Sequence, residues 1–326
     1  MAASAIAVTG ASGFLGAHLV RGFEARGAAV LPLVRTLDER APRGREPAQL
    51  LDGIVRDPAQ LGDRDVLVHC AAVRHRYGTP ASGYRESNVD LVERLLRAIA
   101  GRVRRFVYVS SVGVYGFPAR LPVDETHPYA PVTLYSATKV DAEYLVMRRA
   151  RELGLEFAIV RPTIFYGPGD TNGMLDKTAR MIRAGTYRVV GDGKNSLHHT
   201  HIDDIVEGVC LASTHAAAAG EDFILCGPQT ITLQSFSELV ARHAGKRLAR
   251  AHIPLAFARA VAAAIDVAAY RGLAFASREP PLNNEKLDVM TVPIAFDGGK
   301  ARRLLGFHPR VGYEEGIAQT LAPSAT

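Results

Sequence analysis

Short, nearly unbroken apolar runs recur through the first 160 residues, at 6–8, 29–34, 66–68, 106–109 and 157–160. Between them lie stretches with helical spacing, among them 15–26, 89–100 and 137–153. Strands buried on both faces read as continuous apolar runs, and strands that alternate with helices assemble as βαβ units around a parallel sheet. The pattern therefore predicts an α/β fold with a doubly wound parallel sheet. After residue 165 the spacing loosens, and Gly167-Pro168-Gly169 and Gly191-Asp192-Gly193 interrupt it. A helical stretch over 202–212 is expected to return to the sheet. Phe257, Val261 and Ile265 then recur every four residues, opposite Arg259 and Asp266. That spacing predicts an amphipathic helix packed on a smaller lobe; an apolar substrate wall or a membrane-surface contact is the other reading. The expected division is a sheet domain over 1–165, joined again by about 197–216, with a mixed lobe over 166–196 and 217–326. A chain of 326 residues suits it, being long for one layered domain and short for two independent ones.

Composition narrows the classes. Apolar residues make up 48% and charged residues 22%, as in soluble enzymes. The net charge of +6 comes from scattered arginines without a dense basic block, which argues against nucleic acid as a partner. Cys70, Cys210 and Cys226 are odd in number and lack metal or redox spacing, so a reducing compartment is expected and a disulfide framework is not. No basic flank precedes the first apolar run, which argues against a secretory signal. The longest apolar region, 253–269, is broken by Arg259 and Asp266 and falls short of the ~20 residues a spanning helix needs. These readings predict a cytoplasmic protein with no transmembrane segment; they leave a homodimer open.

The candidate chemistry lies at the carboxyl ends of the expected strands, where open α/β sheets bind ligands. Thr9-Gly10-Ala11-Ser12-Gly13-Phe14-Leu15-Gly16 follows the first strand and opens the first helix. Gly10 permits the tight turn, Gly13 lets backbone approach a pyrophosphate, and Gly16 lets the helix pack against the strand. The helix N-terminus adds unpaired N–H groups and positive dipole. A dinucleotide site is the reading, with Ser12, Phe14 and Leu15 along it. Arg35 stands at the end of the second strand, where an arginine suits the 2′-phosphate of NADP and an acid would suit NAD. NADP is therefore the expected cofactor, with NAD as the alternative. Tyr135 and Lys139 lie four apart at a helix start, hence on one face. A free phenol has pKa ~10, and an adjacent ammonium is expected to bring it toward ~7 for proton transfer. Two serines, Ser110 and Ser111, end the strand before that helix.

Together these residues resemble the extended short-chain dehydrogenase/reductases, a group of nucleotide-sugar epimerases, dehydratases, reductases and 3-beta-hydroxysteroid dehydrogenases. The resemblance runs almost end to end. Thr9 to Gly16 is similar to the T-G-x-x-G-x-x-G turn, and Asp57 to the acid that meets the adenine. His69-Cys70-Ala71-Ala72 is similar to the H-x-A-A motif along the cofactor, and Asn88 to the asparagine of the next helix. Ser110-Ser111-Val112-Gly113-Val114-Tyr115-Gly116 is similar to the family's serine strand, which implies Ser111 as the catalytic serine with Tyr135 and Lys139. Arg161-Pro162-Thr163 with Tyr166-Gly167-Pro168-Gly169 is similar to the run near the nicotinamide, and His201-Ile202-Asp203-Asp204 to the H-V-D-D helix start. The resemblance implies cofactor contacts from Ala71, Ala72, Asn88, Ser110, Pro162 and Thr163, and substrate contacts from Val112, Gly113 and Tyr166.

Leu197 stands where nucleotide-sugar enzymes commonly carry an arginine. Gly191-Asp192-Gly193-Lys194-Asn195 and the stretches from Pro280-Pro281-Leu282 to Phe307 resemble the hydroxysteroid dehydrogenase branch. The resemblance implies a dehydrogenase/reductase acting on a small alcohol/ketone substrate of mainly apolar character. Epimerisation or dehydration of a nucleotide sugar by transient oxidation is the alternative. A non-catalytic redox-sensing module is disfavoured, because a sensor needs no Ser111, Tyr135 or Lys139. His198, His199 and His201 read as structural rather than metal-binding, since no carboxylate or cysteine lies at ligand spacing. Arg74, His75 and Arg76 read as a solvated loop, with contact to a cofactor phosphate or an acidic substrate as the rival.

Overall fold

The computed structural model describes residues 4–38, 42, 46–74, 79–171, 173–270 and 282–322. His75, Arg76, Pro280 and Pro281 lie outside them. The chain begins β1 (Ala5–Thr9), α1 (Phe14–Ala25), β2 (Ala29–Val34), β3 (Gln49–Leu50), α2 (Leu51–Arg56), β4 (Arg64–His69), α3 (Ala81–Arg85) and α4 (Leu91–Ile99). It continues with β5 (Val103–Val109), α5 (Leu134–Glu152), β6 (Glu156–Pro162), β7 (Ile164–Tyr166), α6 (Met174–Arg183), β8 (Ser196–Leu197) and β9 (His199–His201). After α7 (Ile202–Thr214) come β10 (Glu221–Leu225), β11 (Ile231–Thr232), α8 (Leu233–His243), α9 (Leu255–Tyr270), α10 (Asn284–Thr291), α11 (Gly299–Leu305) and α12 (Tyr313–Leu321).

Seven strands form one parallel sheet in the order β10-β6-β5-β4-β1-β2-β3. The order reverses at β1, with β2 to one side and β4 to the other, which is the switch point where such sheets open a crevice. Alternate strand residues build two cores. Ile6, Val8, Val107 and Val109 pack under α1 and α7, whereas Ala7, Leu67, Phe106 and Tyr108 pack under α4 and α5. A third core, with Leu175, Phe236, Val240 and Tyr313, holds the lobe of α6, α8 and α12.

Two expectations change. Residues 221–225, assigned from the sequence to the lobe, form the edge strand β10, paired to β6 with Glu221 opposite Ala158. The strand opens on two acids, so only three of its residues read as apolar; Asp222 is accommodated by ion pairs with Arg161 and Lys300. The apolar stripe of α9 is also turned from its expected place. Ala258 and Ala262 are buried with Leu287, while Phe257 is 64% exposed. The polar residues explain the rotation: Arg259 reaches Asp288 on α10 at 2.9 Å, and Asn284 donates to Asp266 at 2.9 Å.

Candidate active site

The crevice begins where β1 and β4 end. Thr9 Oγ1 and His69 Nδ1 lie 2.8 Å apart, and the Ala71 N–H donates to the same hydroxyl at 3.4 Å. The Cys70 thiol donates to the Thr9 carbonyl at 2.8 Å. Burial pushes that thiol up to about 12, so it is an inert packing group. Burial, and then the charge of Lys139, pushes His69 down to about 3, so its imidazole is neutral. Gly10 has φ +69°, and a Cβ there would stand 2.8 Å from the Ala71 nitrogen; a Cβ at Gly16 would fall on the Gly10 carbonyl oxygen. No side chain caps α1, whose N-cap is Gly13. The first-turn N–H groups of Phe14, Leu15 and Gly16 therefore face the crevice without a side-chain competitor, beside exposed Ser12 and Gly13. This cradle fits the linked phosphates of a dinucleotide. Arg35, at the end of β2, is exposed. Asp57 is also exposed and accepts from Ala59 N–H at 3.3 Å and Gln60 Nε2 at 3.0 Å.

The helix carrying Tyr135 is fixed at its first turn. Thr133 and Ser136 form a reciprocal capping box, with Ser136 N–H donating to Thr133 Oγ1 at 3.0 Å and Thr133 N–H to Ser136 Oγ at 3.0 Å. This cap starts α5 at Leu134, three residues before the expected 137. Lys139 is buried; its Nζ donates to the Val109 carbonyl at 2.7 Å and lies 4.6 Å from the Tyr108 ring centre and 5.8 Å from that of Tyr135. Burial lowers the ammonium to about 8. Burial also raises the Tyr135 phenol to about 12, against the opposing charge of Arg74. Burial thus outweighs the charge of Arg74, and the phenol stands above its ordinary value rather than below it as expected. Ser111 lies two residues beyond β5 and caps the short helical turn 112–115, its Oγ accepting from the Gly113 N–H at 3.1 Å. Among the described residues its hydroxyl hydrogen has no acceptor. Val112 is buried, Gly113 is half-buried, and Ser110 Oγ is buried without a hydrogen-bond partner among the described residues.

Other expected contacts serve the scaffold. Asn88 is buried: its Oδ1 accepts from Val73 N–H at 2.8 Å, and its Nδ2 donates to Val73 O and Thr138 Oγ1 at 3.0 Å each. It ties the segment that follows Ala71 and Ala72 to α5. Pro162 and Thr163 are buried, and Thr163 Oγ1 pairs with Thr200 Oγ1 at 2.6 Å. Tyr166, expected at the substrate, is instead packed in the lobe core, stacked on Tyr313 at 6.2 Å and edge-on to His201; β7 turns its ring inward beside β9. Leu197 is buried in the same core. His198 is held on both ring nitrogens: its Nε2 bonds the Gly227 carbonyl and its Nδ1 accepts from Phe296 N–H, both at 3.0 Å. Among the described residues no group of three or more His, Cys, Asp or Glu is placed to hold a metal, and no helix is long and apolar enough to cross a membrane.

The sequence reading overlooked a buried polar network beneath α5. Arg161, quoted only as part of a motif, points away from the crevice. Its NH2 donates to Glu143 Oε2 and to Tyr129 Oη, both at 2.6 Å, and its NH1 to Tyr115 Oη at 2.7 Å. It also pairs with Asp222, which Lys300 reaches at 2.6 Å. The signal was present, since Glu143 follows Lys139 by one helical turn and is an acid on a face that must be covered.

Residues 6–226 match the family described as NAD dependent epimerase/dehydratase. The chain is 32% identical to the 4-hydroxy-2-methyl-3-oxo-4-farnesyl-3,4-dihydroquinoline-1-oxide ketoreductase of Stigmatella aurantiaca, over 95% of this chain and 93% of that one. It is 29% identical to a 3-beta-hydroxysteroid dehydrogenase of Mycolicibacterium neoaurum, over 97% of this chain and 90% of that one. Among solved structures, the UDP-glucuronic acid 4-epimerase of Bacillus cereus with NAD superposes with a TM-score of 0.74 at 20% identity, covering 97% of each chain. That likeness is one of fold.

Proposed function

The chain belongs to the NAD dependent epimerase/dehydratase family, and on that premise we propose that it interconverts a secondary alcohol and a ketone on a mainly apolar substrate, with Tyr135, Lys139 and Ser111 as its catalytic residues. It is an NAD(P)-dependent oxidoreductase of the extended short-chain dehydrogenase/reductase kind, in the 3-beta-hydroxysteroid dehydrogenase-like branch. The observation that supports the assignment of residues is Lys139 Nζ lying 5.8 Å from the Tyr135 ring centre while it donates to the carbonyl of Val109, the last residue of β5 and two before Ser111.

A nicotinamide dinucleotide held by the Gly10–Gly16 turn would supply or accept the hydride. In reduction, Tyr135 Oη gives its proton to the substrate oxygen; in oxidation it takes that proton back. Ser111 Oγ, committed as an acceptor to Gly113, donates its own hydrogen to the same oxygen and aims it. Lys139 spends one N–H on Val109 and keeps two donors and a positive charge for the crevice. The apolar character of the substrate is supported by exposed apolar side chains close to the site along the chain: Val132 and Leu134, just before Tyr135, and Ile164, just after β6, are exposed at 55%, 54% and 43%. It is supported also by the farnesyl-bearing and steroid substrates that the relatives' names state. We read Arg35 as selecting NADP, and residues 1–165 with about 197–216 and the edge strand at 221–225 as the dinucleotide-binding domain.

Tyr135→Phe tests the mechanism, since it keeps the ring and removes the hydroxyl. General acid/base transfer contributes ~10²–10⁴-fold, so kcat should fall by that range while NADPH affinity stays within a few-fold. Retention of more than about a tenth of the activity would mean that the proton comes from elsewhere.

A further inference from the structure

Lys139 is a buried ammonium with little around it to keep it charged. Its hydrogen bond among the described residues is to the Val109 carbonyl at 2.7 Å, and no carboxylate there pairs with it. Glu143, one turn further along α5, is taken up by Arg161 and Tyr129. At the end of β4, His69 and the Cys70 thiol are both neutral. What faces the ammonium is an aromatic ring. Nζ stands over Tyr108, 4.6 Å from the ring centre, against 5.8 Å for Tyr135. The negative face of a ring attracts a cation within ~6 Å, more strongly where both are desolvated. Tyr108 is 0% exposed and Lys139 2%. The ring is also fixed in place. Tyr108 lies opposite His69 in the sheet and stacks on it at 6.0 Å, with Phe106 on its own strand at 6.5 Å. One strand, β5, thus supplies both the ring and, from the next residue, the carbonyl that Nζ bonds. The Tyr108 hydroxyl is buried without a hydrogen-bond partner among the described residues, so the face of the ring, not its polar end, is what this residue offers the site.

We propose that Tyr108 is a positioning residue of the reaction: its ring holds the Lys139 ammonium charged and, with the Val109 carbonyl, in one place, so that the two remaining N–H donors serve the crevice. The proposal rests on the oxidoreductase reading of the site. Burial alone works against the charged form of an amine, and a second cation, such as an oxidised nicotinamide, works against it further. The titratable groups that face Lys139 are His69 and Cys70 from β4 and its end, Tyr108 from β5, and Tyr135 and Glu143 from α5. Of these, the ring of Tyr108 is the one that favours the ammonium without itself changing charge during the reaction.

The test compares Tyr108→Phe with the full chain carrying a trifluorinated phenylalanine at the same position, whose ring has nearly the same size and a weakened negative face. Lys139 is titrated in the cofactor-free protein by carbon NMR of ε-labelled lysine, its signal assigned by its loss in Lys139→Met. In the unmutated protein the amine should titrate at about 8. Tyr108→Phe should hold it near that value. Fluorination should lower it by about one unit, the size of a desolvated cation–ring contact. Reduction of dihydrotestosterone, a 3-oxosteroid, with NADPH and with NADH then reads the effect on the reaction. This direction uses Lys139 charged, so the alkaline limb of kcat/KM should move down with the amine. The difference from Tyr108→Phe should vanish toward about pH 6, where the lysine is protonated in every variant. A merely structural loss lowers activity evenly across pH and leaves the titration where it was. A titration that fluorination does not move overturns the proposal, and so does one that Tyr108→Phe moves as far as fluorination does. An amine that moves beneath an alkaline limb that stays refutes the role in the reaction. Failure of the unmutated protein to reduce the steroid counts against the oxidoreductase reading, and NADPH affinity by fluorescence titration then decides the role of the ring. Affinity that the fluorinated variant loses only at alkaline pH supports it, and affinity equal to that of Tyr108→Phe at every pH refutes it.

Discussion

Removal of Arg161 is expected to be the most damaging single change outside the crevice. Its side chain is 2% exposed and that of Glu143 is fully buried. Arg161→Met keeps the length of the aliphatic stem and deletes the guanidinium. Glu143 then keeps only the 2.6 Å hydrogen bond from Tyr129, Tyr115 loses its partner, and Asp222 is left to Lys300. Breaking a buried pair from one side costs about 3–5 kcal/mol, since an unpaired carboxylate stays behind in a low-dielectric interior. At roughly 1.5 °C per kcal/mol for a chain of 326 residues, the midpoint of thermal unfolding should fall by about 4–7 °C. Glu143 lies one turn beyond Lys139, so kcat should fall as well through displacement of α5. Double-mutant-cycle analysis with Glu143→Met separates the terms. The double variant carries no stranded carboxylate at position 143 and should be more stable than Arg161→Met alone, with a coupling energy of about 1–3 kcal/mol measured by urea unfolding. Strict additivity of the two substitutions, or a loss below about 1 kcal/mol for Arg161→Met, would refute the view that these two residues form one buried unit.

Three further outcomes follow from the geometry. Arg35→Ala should weaken NADPH binding more than about tenfold and leave NADH nearly unchanged, as fluorescence titration would show; equal affinity of the unmutated protein for both refutes a role in choosing the cofactor. UDP-glucose should show no micromolar binding by calorimetry, because Leu197 is buried in the lobe core and offers no cation to a diphosphate. Burial holds Lys139 at about 8 against an ordinary 10.5, so between these values the unfolded chain binds a proton that the folded chain has lost. Stability of the cofactor-free protein should therefore gain a rising component from pH 8 to 10.5. Lys139→Met should remove that rise in urea titrations, and an identical pH slope would show that the amine is not desolvated.

How far the sequence was legible depends on what each signal encodes. Residues 29–34 were read as a strand and are β2, because an uninterrupted apolar run surrounded by turn signals has few other uses in a parallel sheet. The cradle was legible because Gly10 and Gly16 report backbone approach, a local property. Side-chain direction was not. The run from Arg161 to Tyr166 was placed rightly along the chain, yet strand alternation sends Arg161 under α5, and the turn of β7 sends Tyr166 into the lobe. β10 was missed because Asp222 is neutralised by Arg161 and Lys300, partners 61 and 78 residues away that no local window contains. The same holds for α9, where Asp288 and the α10 backbone decide which face turns inward.

The late arrival of β10 has a consequence during synthesis. β6 is complete at Pro162, but the strand that covers its outer edge begins only at Glu221, after the chain has passed through the lobe elements β7 to β9 and α6. At roughly 5–20 residues per second, the emerging protein carries β6 as an open edge for about 3–12 s. That edge presents unpaired backbone groups and an apolar stretch to any other strand nearby. Arg161 sits on it, still lacking Asp222, and a charged side chain on an exposed strand is a known deterrent to edge-to-edge pairing. The residue that later locks the interior thus guards the nascent chain first, and variants that replace it with an apolar side chain should lose soluble yield out of proportion to their loss of equilibrium stability.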